Sequence, residues 1–227
     1  MHNNYIYNKI PGRLVFDIGS NRGSLSSLYT QHHAQVVAVE PNKNLTHNNP
    51  NYSGIIIENV CISDNTGTIP FFVATGKGCT LSSCREDWKN FHRKAGRSKK
   101  QIVACRTLES LIRQYGIPVY IKIDVEGYEN IVLRTLQTPI NMISIEYTEG
   151  DIDNFTECLE IFKRLNFKTF IMLEADQTKK NLLEFIFKSS QDCLFHFINH
   201  PPARTHGDML VLLDNISLDD FHKYDSL

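Results

Sequence analysis

The residues Asp17-Ile18-Gly19-Ser20-Asn21-Arg22-Gly23 carry the strongest chemical signal in the sequence. Glycines at a strand-to-helix turn let a ligand approach the backbone and leave the helix N-terminus open towards it. Glu40 follows Gly19 by 21 positions, at the end of the next apolar run. That is close to the separation of about 20 residues at which an acidic side chain accepts from both hydroxyls of a ribose. The ligand these residues suit therefore carries an adenosine-like ribose. Two classes compete for it. A dinucleotide site such as that for NAD wants G-x-G-x-x-G, whereas this loop reads G-x-x-x-G, lacks the middle glycine, and has Asp17 ahead of it. A carboxylate there repels a pyrophosphate but suits the ammonium end of a cation. S-adenosylmethionine, with a ribose, a sulfonium and an ammonium, fits better.

A second group of charged residues gathers where an apolar run ends in Lys122-Ile123-Asp124-Val125-Glu126-Gly127. In a parallel α/β sheet ligands sit beyond the carboxyl ends of the strands. Alternation puts Lys122 and Asp124 on one face, and Glu126 with them if the chain stays extended. Glu146 closes the next apolar run, where burying a carboxylate costs free energy unless it is paired or used. Methyl transfer needs the nucleophile held about 3 Å from the methyl carbon, and an alcohol also gains from a group that takes its proton. Asp124, Lys122 and Glu146 are the candidates, with His206, whose ordinary pKa suits a base, before the last apolar run.

The elements that must position these residues alternate along the chain. Apolar runs at 14–18, 36–39, 54–59, 68–73, 119–123, 142–147, 167–173 and 209–213 read as strands. Amphipathic stretches at 20–31, 107–115, 129–136 and 155–165 read as helices, and Pro41 suits the first turn of another. Strand–helix alternation predicts parallel neighbours joined by right-handed crossovers, with a late last strand running antiparallel at the edge. Residues 194–198 read as one more strand. No repeat or low-complexity linker divides the chain, so one domain is expected over 1–227.

Composition narrows the class. The 227 residues are 41% hydrophobic and 22% charged with a net charge of −1, which excludes disorder and gives no global field for nucleic acid or membrane. No apolar stretch approaches the roughly 20 residues of a membrane span, and the first residues lack the apolar core of a secretion signal. A cytoplasmic protein is expected. Its six cysteines include no C-x-x-C pair, so buried thiols are expected rather than a disulfide framework. Cys193, His196, His200 and His206 have spacing that could wrap zinc, but with no second half-site the expectation is no metal.

Residues 74–101 interrupt the alternation. Within them, 85–101 hold seven Lys or Arg against two Asp or Glu. A solvated loop is one reading. The other is a cap that draws an anionic acceptor through Arg93, Lys94, Arg97, Lys99 and Lys100, with Trp88 and Phe91 available for stacking.

Five motifs then fall in order: D-x-G-x-N-x-G, the E-P-N of Glu40-Pro41-Asn42, N-V-C-I-S-D-N-T-G from Asn59, R-T-L-E-S-L from Arg106, and I-K-I-D-V-E-G-Y-E from Ile121. Together, over residues 13–147, they resemble the FkbM-type methyltransferases. The resemblance implies a Rossmann-like class I methyltransferase fold, a mostly parallel seven-stranded sheet with an antiparallel last strand and helices on both faces. It implies that Asp17, Gly19, Ser20, Asn21, Gly23, Glu40, Pro41, Asn59, Cys61 and Asp124 hold S-adenosyl-L-methionine. The activity implied is O-methylation of a hydroxyl on a small molecule, sugar or glycan, with residues 150–227 matching only loosely. RNA ribose methylation using the basic segment is the alternative, and an NAD-type oxidoreductase a weaker one.

Overall fold

A computed structural model describes residues 4–75, 81–90, 98–148, 150–176, 181–199 and 206–215. Its main sheet begins with β1 (Leu14–Ile18), β2 (Gln35–Val39) and β3 (Ile56–Glu58), continues through β7 (Tyr120–Ile123) and β8 (Met142–Thr148), and ends with β9 (Thr169–Asp176), β10 (Asn181–Phe187) and β11 (His206–Leu212). The strand order is β10-β9-β11-β8-β7-β1-β2-β3. From β3 through β8 every pairing is parallel, while β11 runs antiparallel to both β8 and β9. This is the Rossmann-like class I arrangement with one strand added.

The added strand corrects the expected count of seven. β10 pairs antiparallel with β9, which gives eight strands among the described residues, and β11 lies inside the sheet rather than at its edge. A hairpin partner for β9 extends the sheet outward, so the late-arriving β11 fills the gap between β8 and β9.

The central strands read as unbroken apolar runs because both sheet faces are covered. Phe16 and Ile18 of β1 enter a core with α4 (Leu108–Tyr115), α5 (Glu129–Leu133), α6 (Ile152–Arg164) and α7 (Ser190–Asn199). Val15, from the same strand, points the other way onto α1 (Asn4–Lys9) and α2 (Ser24–Gln31), where Ile6 and Tyr29 are buried. No helix among the described residues is long and apolar enough to cross a membrane.

Several local expectations are corrected. Residues 194–198 lie in α7, with Ser190, Cys193 and Phe197 buried on one helical face. Ser189 marks its start: the hydroxyl accepts from the Asp192 amide at 3.1 Å, an N-terminal cap that outweighs the short apolar run. Cys193 faces the core, its Sγ 3.6 Å from Met209 Sδ, whereas His196 packs at a tilt against Phe185 and Phe187. They point to different neighbours on one helix, and His200 lies outside the described residues. Helix α2 starts at Ser24 rather than residue 20, because the glycine loop takes up the intervening turn. Pro41 precedes α3 (Lys43–Thr46), whose cap is Asn42, with its side chain accepting from the Asn44 amide at 3.2 Å.

A second sheet of order β4-β6-β5 stands beside the first, built from β4 (Cys61–Ile62), β5 (Gly67–Ala74) and β6 (Ser98–Arg106). The interruption therefore ends at Ser98, where Lys99 and Lys100 are already strand residues. Between β5 and β6, a short 3-10 turn spans Glu86–Asn90.

Candidate functional site

The carboxyl ends of β1, β2, β7 and β8 open on one cavity of about 200 Å³ that is partly open to solvent. Of the candidate residues, Gly19, Asn21, Glu40, Pro41, Cys61, Asp124 and Glu146 line it. Val39, Leu45, Val60, Ile62 and Phe71 give it apolar walls, and Ser82 and Cys84 from the inserted segment complete one side. A second cavity on the other flank of the glycine loop shares Gly19, Asn21 and Asp124 and adds Asp17 and Ser20.

Glu40 stands at the end of β2, where its Oε2 accepts from the Asn21 amide at 3.0 Å and its Oε1 from the Asn42 amide at 2.8 Å. A carboxylate has about four lone-pair positions, so two remain for hydroxyl donors. Burial pushes its pKa up to about 7 against the two amide bonds, which favour the ion. Asn59 supports from behind: its Nδ2 donates to the Glu40 carbonyl at 2.8 Å and to Thr46 Oγ1 at 3.0 Å. It holds the residue that faces the cavity rather than facing it.

Asp17 is turned against α2, where the Ser26 hydroxyl donates to its Oδ2. Burial raises its pKa to about 6. Ser20 bonds Tyr52 Oη at 2.8 Å, and Tyr52 in turn donates to the Asn21 carbonyl at 2.7 Å, which shapes the loop from below. Gly23 caps α2 at φ +72°, with the Tyr52 ring 2.9 Å from where its Cβ would be. Gly19 also has positive φ, at +84°. The sequence suggests that a cofactor needs the room at Gly19. Instead the backbone carbonyl of Asp124 fills that room, 1.8 Å from a built Cβ.

Across the cavity, Asp124, Glu126 and Glu146 each present a carboxylate oxygen within 4.8 Å of the others. Extension ends at Ile123, yet Glu126 still enters the cavity because its backbone turns left-handed at φ +58°. Burial and the neighbouring Asp124 raise its pKa to about 9, and burial, Asp124 and Glu126 hold Glu146 well above the usual carboxylate range. The sequence placed Glu126 with Lys122 and Asp124 only if the chain stayed extended, and did not name it among the catalytic candidates. The signal for the turn was the glycine that follows, a residue that takes positive φ at no steric cost.

Lys122 is 2% exposed and does not line the cavity. Its Nζ meets Asp208 Oδ1 at 2.5 Å and Asp124 Oδ2 at 3.6 Å. Burial works against its charge, but Asp208 and Asp124 hold its pKa well above the ordinary value. Lys122 therefore anchors Asp124 as a permanent cation. His206 is placed by its backbone opposite Thr148, across the β11–β8 ladder. Trp88, expected to be free to stack on an acceptor, is 2% exposed and packed inside. Phe91, Arg93, Lys94 and Arg97 lie outside the described residues.

No curated protein matches this chain. Among solved structures it is similar to precorrin-6y C5,15-methyltransferase from Geobacter metallireducens, at 12% identity and TM-score 0.40, covering 92% of this chain and 86% of that one. It is also similar to precorrin 8w decarboxylase from Methanobacterium thermoautotrophicum, at 10% identity and TM-score 0.43, covering 89% and 82%. A third is a SAM-dependent O-methyltransferase from Thermotoga maritima, at 9% identity and TM-score 0.42, covering 94% of this chain and 63% of that one. In sequence, the model of the methyltransferase FkbM domain matches residues 17–172, a span holding every residue that lines the cavity between Glu40 and Glu146. With more than half the chain matched, the protein belongs to the FkbM methyltransferase family, and S-adenosylmethionine is its methyl donor.

Proposed function

We propose that this enzyme methylates a hydroxyl group on a small molecule, sugar or glycan, acting in the cytoplasm as a single domain. The observation that carries the reading is the arrangement of one cavity between Glu40 on one wall and the Asp124, Glu126 and Glu146 carboxylates on the other. Glu40 is the ribose acceptor, with Val39, Pro41, Leu45 and Val60 as apolar surface for an adenine. Gly19, Asn21 and Asp124, common to both cavities, hold the amino acid end, and Asp17 adds negative potential behind them. When bound, S-adenosylmethionine supplies an activated methyl group and a neutral leaving sulfide.

A hydroxyl must lose its proton as it is methylated, and three carboxylates in mutual repulsion hold a proton tightly. Glu126 and Glu146, both raised by burial, share that proton, so their titration belongs to the pair rather than to one residue. Lys122 pairs with Asp124 at 3.6 Å and fixes its direction without entering the cavity. Apolar walls from Ile62 and Phe71 limit water at the reacting centre.

Calorimetry against S-adenosylmethionine, S-adenosylhomocysteine and NAD tests the donor. Release of S-adenosylhomocysteine over a panel of sugars, glycans, small alcohols, amines and RNA tests the acceptor, with the methylated atom located by mass spectrometry and NMR. Methylation of an alcohol oxygen supports the reading. Turnover confined to amines, or salt-sensitive turnover confined to RNA ribose, overturns it.

A further inference from the structure

The segment between β5 and β6 holds the catalytic loop from the outside. Ser83 Oγ donates to the Glu126 carbonyl at 2.7 Å, and Arg85 Nη1 donates to the Gly127 carbonyl at 3.0 Å. Trp88 Nε1 donates to Glu126 Oε2 at 3.1 Å, the sole direct bond from this segment to a carboxylate of the cluster among the described residues. The indole packs against Gly127, where a Cβ would be 2.3 Å from two of its ring carbons. Arg85 is itself fixed by Asp151 at 2.5 Å and Asp87 at 3.0 Å.

The loop needs such support. Glu126 and Gly127 are consecutive left-handed residues, at φ +58° and +85°, and a side-chain-bearing residue holds that conformation only where its surroundings impose it. From the core side, Glu129 Oε1 accepts from the Val125 and Gly127 amides, both at 3.2 Å. Glu129 thus takes the amides of the turn, and the inserted segment takes its carbonyls and the Glu126 carboxylate.

We propose that Trp88 is a positioning residue, through which the inserted segment fixes the Glu126 carboxyl beside Asp124 and Glu146 at the acceptor end of the cavity. Packing alone would account for a buried indole, but not for a donor aimed at a cavity carboxylate or for two further bonds to the same turn. The proposal rests on the methyltransferase reading of this cavity. It assigns to the insertion the completion of the catalytic group, separate from any capture of acceptor.

The chain has a single tryptophan, so an indole-¹⁵N label gives one side-chain N–H signal. That signal is expected to exchange slowly with water and to move in Glu126→Gln. With the acceptor found in the screen, Trp88→Phe keeps an aromatic ring on Gly127 but loses the donor. Its kcat is expected to fall about tenfold while the KM for S-adenosylmethionine stays within about twofold. The Trp88→Phe/Glu126→Gln double variant is expected to be no slower than Glu126→Gln alone, because both changes remove one interaction. An indole signal unmoved by Glu126→Gln overturns the proposal with no acceptor needed. Wild-type kcat in Trp88→Phe, or effects that multiply in the double variant, also overturns it. Failure of the wild-type protein to bind S-adenosylmethionine overturns the functional reading instead, and the indole signal still decides whether Trp88 holds Glu126.

Discussion

The carbonyl oxygen of Asp124 occupies the space that any side chain at Gly19 would need, 1.8 Å from a Cβ built there. The two turns that follow β1 and β7 interlock through backbone, with the Asp124 amide donating to the Ile18 carbonyl at 2.9 Å. The glycine is required first by the protein and only then by its ligand.

Gly19→Ala is therefore expected to lower the melting temperature as well as abolish cofactor binding, at a stability cost of about 2–4 kcal/mol from overlap and positive φ. Thermal unfolding with calorimetry on the same sample checks it. A variant with wild-type melting and no cofactor binding would mean that the turns can separate.

Glu40→Ala is expected to weaken S-adenosylmethionine binding by about 1–3 kcal/mol through loss of charge-assisted hydrogen bonds to the ribose. With the Glu40 pKa near 7, lowering the pH from about 8 to about 6 protonates the acceptor, so wild-type affinity should fall over that range. The alanine variant should show a flatter pH dependence. An unchanged dissociation constant for Glu40→Ala would remove the ribose assignment.

Stability should fall as pH rises. Asp17, Glu40, Glu126 and Glu146 all have pKa values raised in the fold, chiefly by burial. Between the ordinary carboxylate range and about pH 9 the folded protein thus binds more protons than the unfolded chain, and the free energy of unfolding declines with pH. Carboxylates held low, such as Glu109 and Glu157, act only below that window. Denaturant melts from about pH 5 to about pH 9 should show the decline, and Glu126→Gln should reduce it. A stability maximum near pH 9 would contradict the burial of these groups.

Lys99 and Lys100 should differ if the acceptor is anionic. Lys99 pairs with Val73 and shares the sheet face of Phe71, which lines the cavity, whereas Lys100 pairs with Phe72 on the opposite face. Lys99→Gln is expected to raise the acceptor KM about threefold and flatten its salt dependence, with Lys100→Gln near wild type. Kinetics at two ionic strengths check this. Equal behaviour of the two variants would mean that the strand carries only solvated charge.

Much of the site was readable in the sequence because parallel strands buried on both faces leave a plain record. An unbroken apolar run ends in a charged residue only where the strand emerges at the ligand edge, and Glu40, Asp124 and Glu146 were found in this way. The glycine loop was legible for a similar reason, since backbone needing positive φ selects residue type locally. Partners distant in sequence leave no such record. Lys122 was visible, but its closest partner, Asp208, comes from the far end of the chain through the β8–β11 pairing. Trp88 read as an exposed aromatic in a basic loop because nothing near it in sequence announces Gly127 as its packing surface. Glu126 depended on a left-handed turn that alternation could not anticipate, and the insertion of β11 between β8 and β9 depended on the hairpin with β10. Local periodicity encodes which faces are buried, while the pairing of distant segments is settled only when all of them compete for the same core.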